Sequence, residues 1–231
     1  MSSLNDPVLP GTAATDYERY LRTDELLALQ KPPAEMAHRD ELLFQVIHQA
    51  SELWLKLACV EVEEATRQMD RDEVWAAVRL LRRATGALDV VHLNTSMLEH
   101  IAPWDYHGVR SALGHGSGFD SPGFRRVHEI SPTLGGAFTR LLARRGLDLI
   151  RLYRHSASHE DVFQTAERLL DWDTKLILWR TFHLKIVERI IGGHVIGTQG
   201  TPVEVLGRRV DVRYFPELWE VRNLLTHLSG Q

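Results

Sequence analysis

From Asp40 to about Met69 the chain runs without a single glycine or proline. Its apolar positions Leu43, Ile47, Ala50, Trp54 and Leu57 recur every three or four residues, which predicts one long helix with a buried face. A second helical pattern runs from about Asp72 to Ile101 through Val74, Trp75, Val78, Leu81, Leu88, Val91 and Leu98. Gly86 lies inside it and Pro103 closes it. Helical patterns resume at about 134–153, 159–170 and 172–191. A closing helix at about 216–228 opens with Pro216 in a first-turn position. Upstream, Tyr17, Tyr20, Leu21, Leu26, Leu27 and Leu29 predict a short helical stretch stopped by Lys31-Pro32-Pro33. No long alternating strand pattern competes, and there is no internal repeat. The predicted class is all-α.

Two segments break the helical rhythm. Residues 103–124 crowd Gly108, Gly114, Gly116, Gly118, Pro122 and Gly123 around Tyr106, Arg110 and Phe119. They read as a loop with polar and aromatic cargo, of the kind that carries function more often than packing. A second irregular segment follows Gly192-Gly193. Residues 1–15, rich in small and polar residues, read as a mobile arm, and 16–231 as a single all-α domain.

The 231 residues suffice for one large domain or two small ones, each with its own core. Lys+Arg 27 against Asp+Glu 31 gives a net charge of −4, a poor balance for gripping nucleic acid. The single cysteine, Cys59, rules out an internal disulfide framework and any multi-cysteine zinc site. No apolar run approaches the ~20 residues of a membrane span, and the N-terminus lacks the basic-then-apolar pattern of a secretory signal. The expectation is a cytoplasmic protein without a membrane partner.

Twelve histidines are the unusual feature. Two of them, His48 and His183, sit inside apolar helical runs. His183 lies on the stripe Leu176, Trp179, His183, Val187, Ile190. Each reads as a core histidine satisfied by a carbonyl, or the two together as opposite sides of one pocket. In the second case a neutral imidazole suits a haem iron, with the other imidazole as a hydrogen-bonding group across from it. Arg110, four residues after Tyr106, reads as a surface arginine or as a bidentate carboxylate clamp. Ser117 offers a hydroxyl between two glycines. Gly197-Thr198-Gln199-Gly200 is followed by no GK[ST], which excludes a phosphate loop. There is no G-x-S-x-G and no H-E-x-x-H, which argues against a serine hydrolase and a zinc protease.

Five segments in order carry a more specific pattern. They are Tyr17-Glu-Arg-Tyr20-Leu21; Asp40 to Lys56, containing Phe44, His48, Glu52 and Trp54; Tyr106-His-Gly-Val-Arg110 with Ser117-Gly-Phe-Asp-Ser121-Pro-Gly-Phe124-Arg125; Trp179-Arg-Thr-Phe-His183 with Val187 to Gly192 and Gly197-Thr198; and Phe215-Pro-Glu-Leu-Trp219-Glu-Val-Arg222. In these the chain resembles the haem-dependent tryptophan 2,3-dioxygenases along most of its length, as a short member of bacterial or secondary-metabolic type. The resemblance implies a helical bundle enclosing haem b, ferrous when active. It implies insertion of O2 into the indole C2–C3 bond of L-tryptophan or a substituted tryptophan, giving an N-formylkynurenine-type product. His183 is then the proximal iron ligand and His48 the distal catalytic histidine. Phe44 is a pocket wall, Arg110 with Tyr106 the carboxylate site, Thr198 a lid residue near the ammonium, and Ser117 a hydroxyl near the haem. Tyr17, Tyr20 and Leu21 correspond to a segment that reaches a neighbouring subunit's pocket, which implies a homo-oligomer, a tetramer. The chain departs from the family in its length and in the segment 193–202, which carries one extra residue before Gly197 and then Gln199-Gly200-Thr201-Pro202. That change opens two alternatives: a mono-oxygenating or substrate-shifted enzyme of a secondary-metabolite pathway, and a non-catalytic haem or indole sensor.

Overall fold

The structure is a computed structural model that describes residues 6–197 and 200–230. Among these the regular structure is helical: α1 (Asp16–Leu21), α2 (Thr23–Leu27), α3 (Glu41–Asp70), α4 (Val74–Ser96), α5 (Pro103–Ala112), α6 (Pro122–Arg145), α7 (Leu149–Arg154), α8 (Glu160–Ile191), α9 (Glu204–Gly207) and α10 (Pro216–Ser229), with short 3-10 turns between some of them. The single β-bridge among the described residues pairs Ile196 with Pro202. The all-α class read from periodicity is the class observed.

α3 and α4 are joined by a three-residue turn in which Asp72 takes a left-handed conformation (φ 66°). The two helices pack along each other, α6 packs on α3, and α8 on α4. The main core gathers Leu55, Val62, Met69, Leu81, Leu88, Leu134, Leu141, Leu169, Trp172 and Leu176 from these four helices. A second, smaller apolar cluster forms at one end from Ile47, Leu98, Ile101, Ile186 and Ile190, with Phe44, Tyr106 and Phe182 packed on it.

Several boundaries differ from the sequence expectation. Residues 103–112, expected as loop, form α5, with Pro103 at its first turn. Gly108 does not break this helix; its bare backbone admits the His38 side chain, whose Cβ lies 3.3 Å from where a Cβ on residue 108 would sit. The helix expected from about 134 begins at Pro122 and ends at Arg145, capped by Gly146 at φ 59°. Its glycines serve close packing: Phe215 lies against Gly135. The expected helix to 153 splits there, and α7 starts afresh behind the Asp148 cap. The two helices expected at 159–170 and 172–191 are one continuous α8, and Gly86 does not interrupt α4. At the N-terminus, Val8 and Leu9 donate to the Asp16 carboxylate, and the Arg19 guanidinium to the Leu9 and Ala13 carbonyls.

The C-terminal helix is fastened by one buried carboxylate. Asp173 on α8 is fully buried and accepts from the Tyr214 N–H at 2.8 Å, the Phe215 N–H at 3.1 Å and the Trp219 indole N–H at 3.1 Å. Three donors satisfy a charge that burial alone would penalise. Asp173→Ala leaves all three without their acceptor, and the expected cost is about 3–5 kcal/mol. Urea unfolding checks this, with Asp173→Asn, which keeps one acceptor oxygen, expected to fall between.

Candidate functional site

α3 enters the small apolar cluster from a connector that Glu41 ties down. Its carboxylate accepts from the Lys31 ammonium at 3.2 Å, from the Ala37 N–H and from the His38 N–H at 3.2 Å. Burial opposes ionisation of Glu41, but these donors together hold its pKa below the ordinary value. One turn on, Phe44 stacks on His48 with ring centroids 4.0 Å apart, and Tyr106 of α5 lies 6.2 Å from Phe44.

His48 Nδ1 is 2.7 Å from the Phe44 carbonyl oxygen. A carbonyl only accepts, so Nδ1 carries the proton and Nε2 presents a lone pair. The ring keeps an exposed edge yet lies deep enough among protein atoms for desolvation to lower its pKa, against the opposing effects of the Phe44 carbonyl and Glu52. His183 comes from α8. Burial first, and the neighbouring His48 second, push its pKa down to about 4. Both imidazoles are therefore neutral near pH 7, and the nearness of His48 further disfavours charge on His183. The His183 imidazole makes no hydrogen bond to any described residue. Its ring lies flat on Trp179 instead, 4.9 Å between centroids and 7° from parallel.

Two surface recesses lie elsewhere. One of about 410 Å³ is bordered by Leu184, Glu188, His194 and Glu204, and another of about 450 Å³ by Glu52, Cys59, Pro122 and Arg126. Neither is lined by His48 or His183.

Tyr106 and Arg110 share a face of α5, four residues apart. Burial raises the Tyr106 pKa, partly offset by Arg110, so the phenol stays protonated. One Arg110 nitrogen donates to the Ile196 carbonyl at 3.1 Å. Ile196 belongs to a narrow neck closed by Val203 N–H to Val195 carbonyl and Gly197 N–H to Thr201 carbonyl bonds. Ser117 caps the short turn Gly118–Asp120, its Oγ accepting from the Phe119 N–H at 3.4 Å. Thr198 lies outside the described residues. Tyr17 and Tyr20 are 69% and 78% exposed, and α1 buries no residue on its own chain.

Glu52, quoted in the second motif without a role, proves central. Its two oxygens accept from the Ser121 hydroxyl and from the Gly123 N–H at 2.9 Å, joining α3 to the start of α6. The only sequence signal for this was the presence of Glu52 and Ser121-Pro-Gly123 in two quoted motifs.

The sequence model of the tryptophan 2,3-dioxygenase family matches residues 3–137 and 128–225. The two matched parts meet within α6, around Pro132. A tryptophan 2,3-dioxygenase of Xanthomonas campestris pv. campestris (strain B100) is 34% identical over 257 aligned residues, covering 89% of this chain and 86% of the relative. One from Bacillus anthracis is 32% identical, covering 90% of this chain and 92% of its own length. One from Xanthomonas euvesicatoria pv. vesicatoria (strain 85-10) is 33% identical.

The Glu41 anchor gives a pH-dependent expectation. A carboxylate whose folded pKa is depressed adds stability that is present above its unfolded value, near 4.5, and is lost as pH falls through the folded value. The stability gap between the native chain and Glu41→Gln should thus be full at pH 7 and shrink once pH drops below about 4.5. Urea midpoints across pH 3–7 check it; a gap that is flat over this range would contradict the anchor.

Proposed function

The chain belongs to the tryptophan 2,3-dioxygenase family, and from that premise we propose that it is a haem-dependent oxidoreductase. It inserts both atoms of O2 across the indole C2–C3 bond of L-tryptophan or a substituted tryptophan. The observation that carries this reading is the pair of neutral imidazoles from α3 and α8 beside a separate apolar cluster. One is fixed in its tautomer, and the other has no hydrogen bond to a described residue.

The residues fit the cofactor. An iron needs a neutral imidazole with a free nitrogen, and His183 is the histidine of the pair that no described hydrogen bond engages. Haem b, when bound, supplies the redox chemistry that lets dioxygen react with a closed-shell ring. The chain's own residues do the rest. His48, protonated at Nδ1, offers Nε2 as the acceptor for an indole N–H. Phe44 and the apolar cluster exclude water from the ring and hold it in one orientation. The Arg110 guanidinium has five donors and spends one on Ile196, which leaves a fork for the amino-acid carboxylate. Tyr106, kept as a neutral phenol, completes that side. Ser117 and Thr198 are assigned to the haem edge and the substrate ammonium on the family pattern alone.

Assembly follows from the same reading. Tyr17, Tyr20 and Leu21 stand in water on a helix that buries nothing of its own, and we assign them to a neighbouring subunit's pocket in a homotetramer of single-domain chains.

Two outcomes are expected. In the first, the ferrous protein is mixed with a tryptophan panel without oxygen, then with it, and product masses are read. Wild type should add two oxygen atoms, and His183→Ala should lose haem. Arg110→Ala should weaken tryptophan binding by about 2 kcal/mol or more, roughly 30-fold. Full haem with an unchanged spectrum in His183→Ala would remove the ligand assignment, and addition of one oxygen would replace dioxygenation. In the second, a His183→Ala subunit with an intact N-terminus is co-assembled with a subunit lacking residues 1–25. Restored turnover is expected; no rescue in a verified mixed oligomer would rule out the shared pocket.

A further inference from the structure

A histidine that ligates a metal ordinarily donates its other ring N–H to a carboxylate, carbonyl or water, and that bond fixes the ring's plane. His183 has no such acceptor among the described residues. Rotation about the bond to an imidazole is broad unless packing restricts it, so something else must set the plane. The indole of Trp179, one turn earlier on α8, lies against it and 7° from parallel.

Trp179 is itself held on two sides by other helices. Its indole N–H donates to the Thr95 hydroxyl of α4 at 3.1 Å, and that hydroxyl donates in turn to the Val91 carbonyl at 2.7 Å. Phe124 of α6 stacks on the indole with centroids 3.9 Å apart and 28° between planes. The Phe124 N–H donates to the Ser121 hydroxyl at 3.1 Å, and Ser121 donates to Glu52 of α3. The indole is thus pinned by a hydrogen bond and backed by a ring whose position is tied to the bundle.

We infer that Trp179 is a positioning residue for His183, and that the Thr95 hydroxyl and Phe124, acting through the indole, set the plane of the imidazole. This rests on the reading of His183 as the haem ligand. A ring oriented by an aromatic face in place of an anionic acceptor gains no added basicity from a hydrogen bond. The plane that such a ligand would present to an iron is instead set by the indole.

The test compares Thr95→Val, Trp179→Phe and Trp179→Leu in the full chain with haem. The readouts are haem dissociation, the midpoint potential and the g-values of the ferric low-spin form. Trp179→Leu is expected to raise haem dissociation about tenfold, in line with loss of a supporting group around a ligand. It is also expected to move the g-values, which report ring orientation. Trp179→Phe, which restores an aromatic face, should recover most of the retention, and Thr95→Val should shift the g-values without losing haem. Unchanged g-values and potential in both Thr95→Val and Trp179→Leu would overturn the proposal, and if Trp179→Leu fails to fold, Thr95→Val decides it alone. Ring 15N relaxation of His183 in the haem-free chain separates the two readings. A ring rigid in wild type and mobile in Thr95→Val supports the clamp even if wild type takes up no haem, which would sink the proposed function only. Equal mobility in both overturns the clamp.

Discussion

The carboxylate of Glu52 meets the first turn of α6, and much of the site depends on that contact. Gly123 approaches so closely that a Cβ there would lie 2.7 Å from a Glu52 oxygen and 2.7 Å from the Leu55 Cβ. No larger residue fits without moving a helix. The approach lets the Gly123 N–H, an unpaired donor of the first helical turn, reach the carboxylate, while Ser121 both caps α6 through the Phe124 N–H and donates to Glu52. With the start of α6 fixed on α3, Phe124 falls onto Trp179 and Trp179 onto His183. One turn before Glu52 on the same helix sits His48. The two imidazoles are therefore set from a common reference, although they come from helices far apart in sequence.

Electrostatics at this end of the bundle follow from how Glu52 is used. A free carboxylate one turn from His48 would favour the imidazolium. Glu52 does pull in that direction, but its charge is engaged by two donors, and desolvation of His48 prevails. His183 feels burial and the second imidazole, both of which oppose its charge. The Phe44 carbonyl then selects the tautomer at His48. Neutrality at both rings is a product of packing, and the helix geometry that buries Ile47 and Ile186 supplies it.

The parts of this that were legible in the sequence are those with a local periodic signature. α3 was plain because nothing in residues 40–69 interrupts the three-four spacing, and His48 and His183 stood out as polar residues within apolar runs. α6 was misread at its start because glycine and proline carry two meanings. Pro122 opens the helix, Gly123 and Gly135 make room for Glu52, Leu55 and Phe215, and only tertiary contact distinguishes that use from a loop. The same ambiguity hid α5, where Gly108 receives His38. Asp173 gave no signal at all: an aspartate in a helix looks exposed until its partners, some forty residues downstream, are known. Arg110 could be assigned only through the family pattern, since spacing does not separate a clamp from a surface charge. Thr95 and Trp179 are eighty-four residues apart, and no periodicity joins them.

On the proposed reading of Arg110 as the carboxylate site, recognition and the segment that carries Ile196 are coupled. The guanidinium reaches the Ile196 carbonyl from a helix that carries Tyr106 on the same face, and Tyr106 packs on the cluster holding Phe44. A backbone carbonyl satisfies one donor with a partial charge, whereas a carboxylate matches the guanidinium fork with two oxygens and a full charge. The fork contact is the stronger of the two. If Arg110 takes the carboxylate, the Ile196 bond is one that the carboxylate would share or replace, beside a neck whose described residues are joined by the Val203–Val195 and Gly197–Thr201 backbone bonds and the Ile196–Pro202 bridge. α5 is a regular helix with Pro103 in its first turn and His38 packed against Gly108, so Arg110 projects from a backbone that is held on both counts.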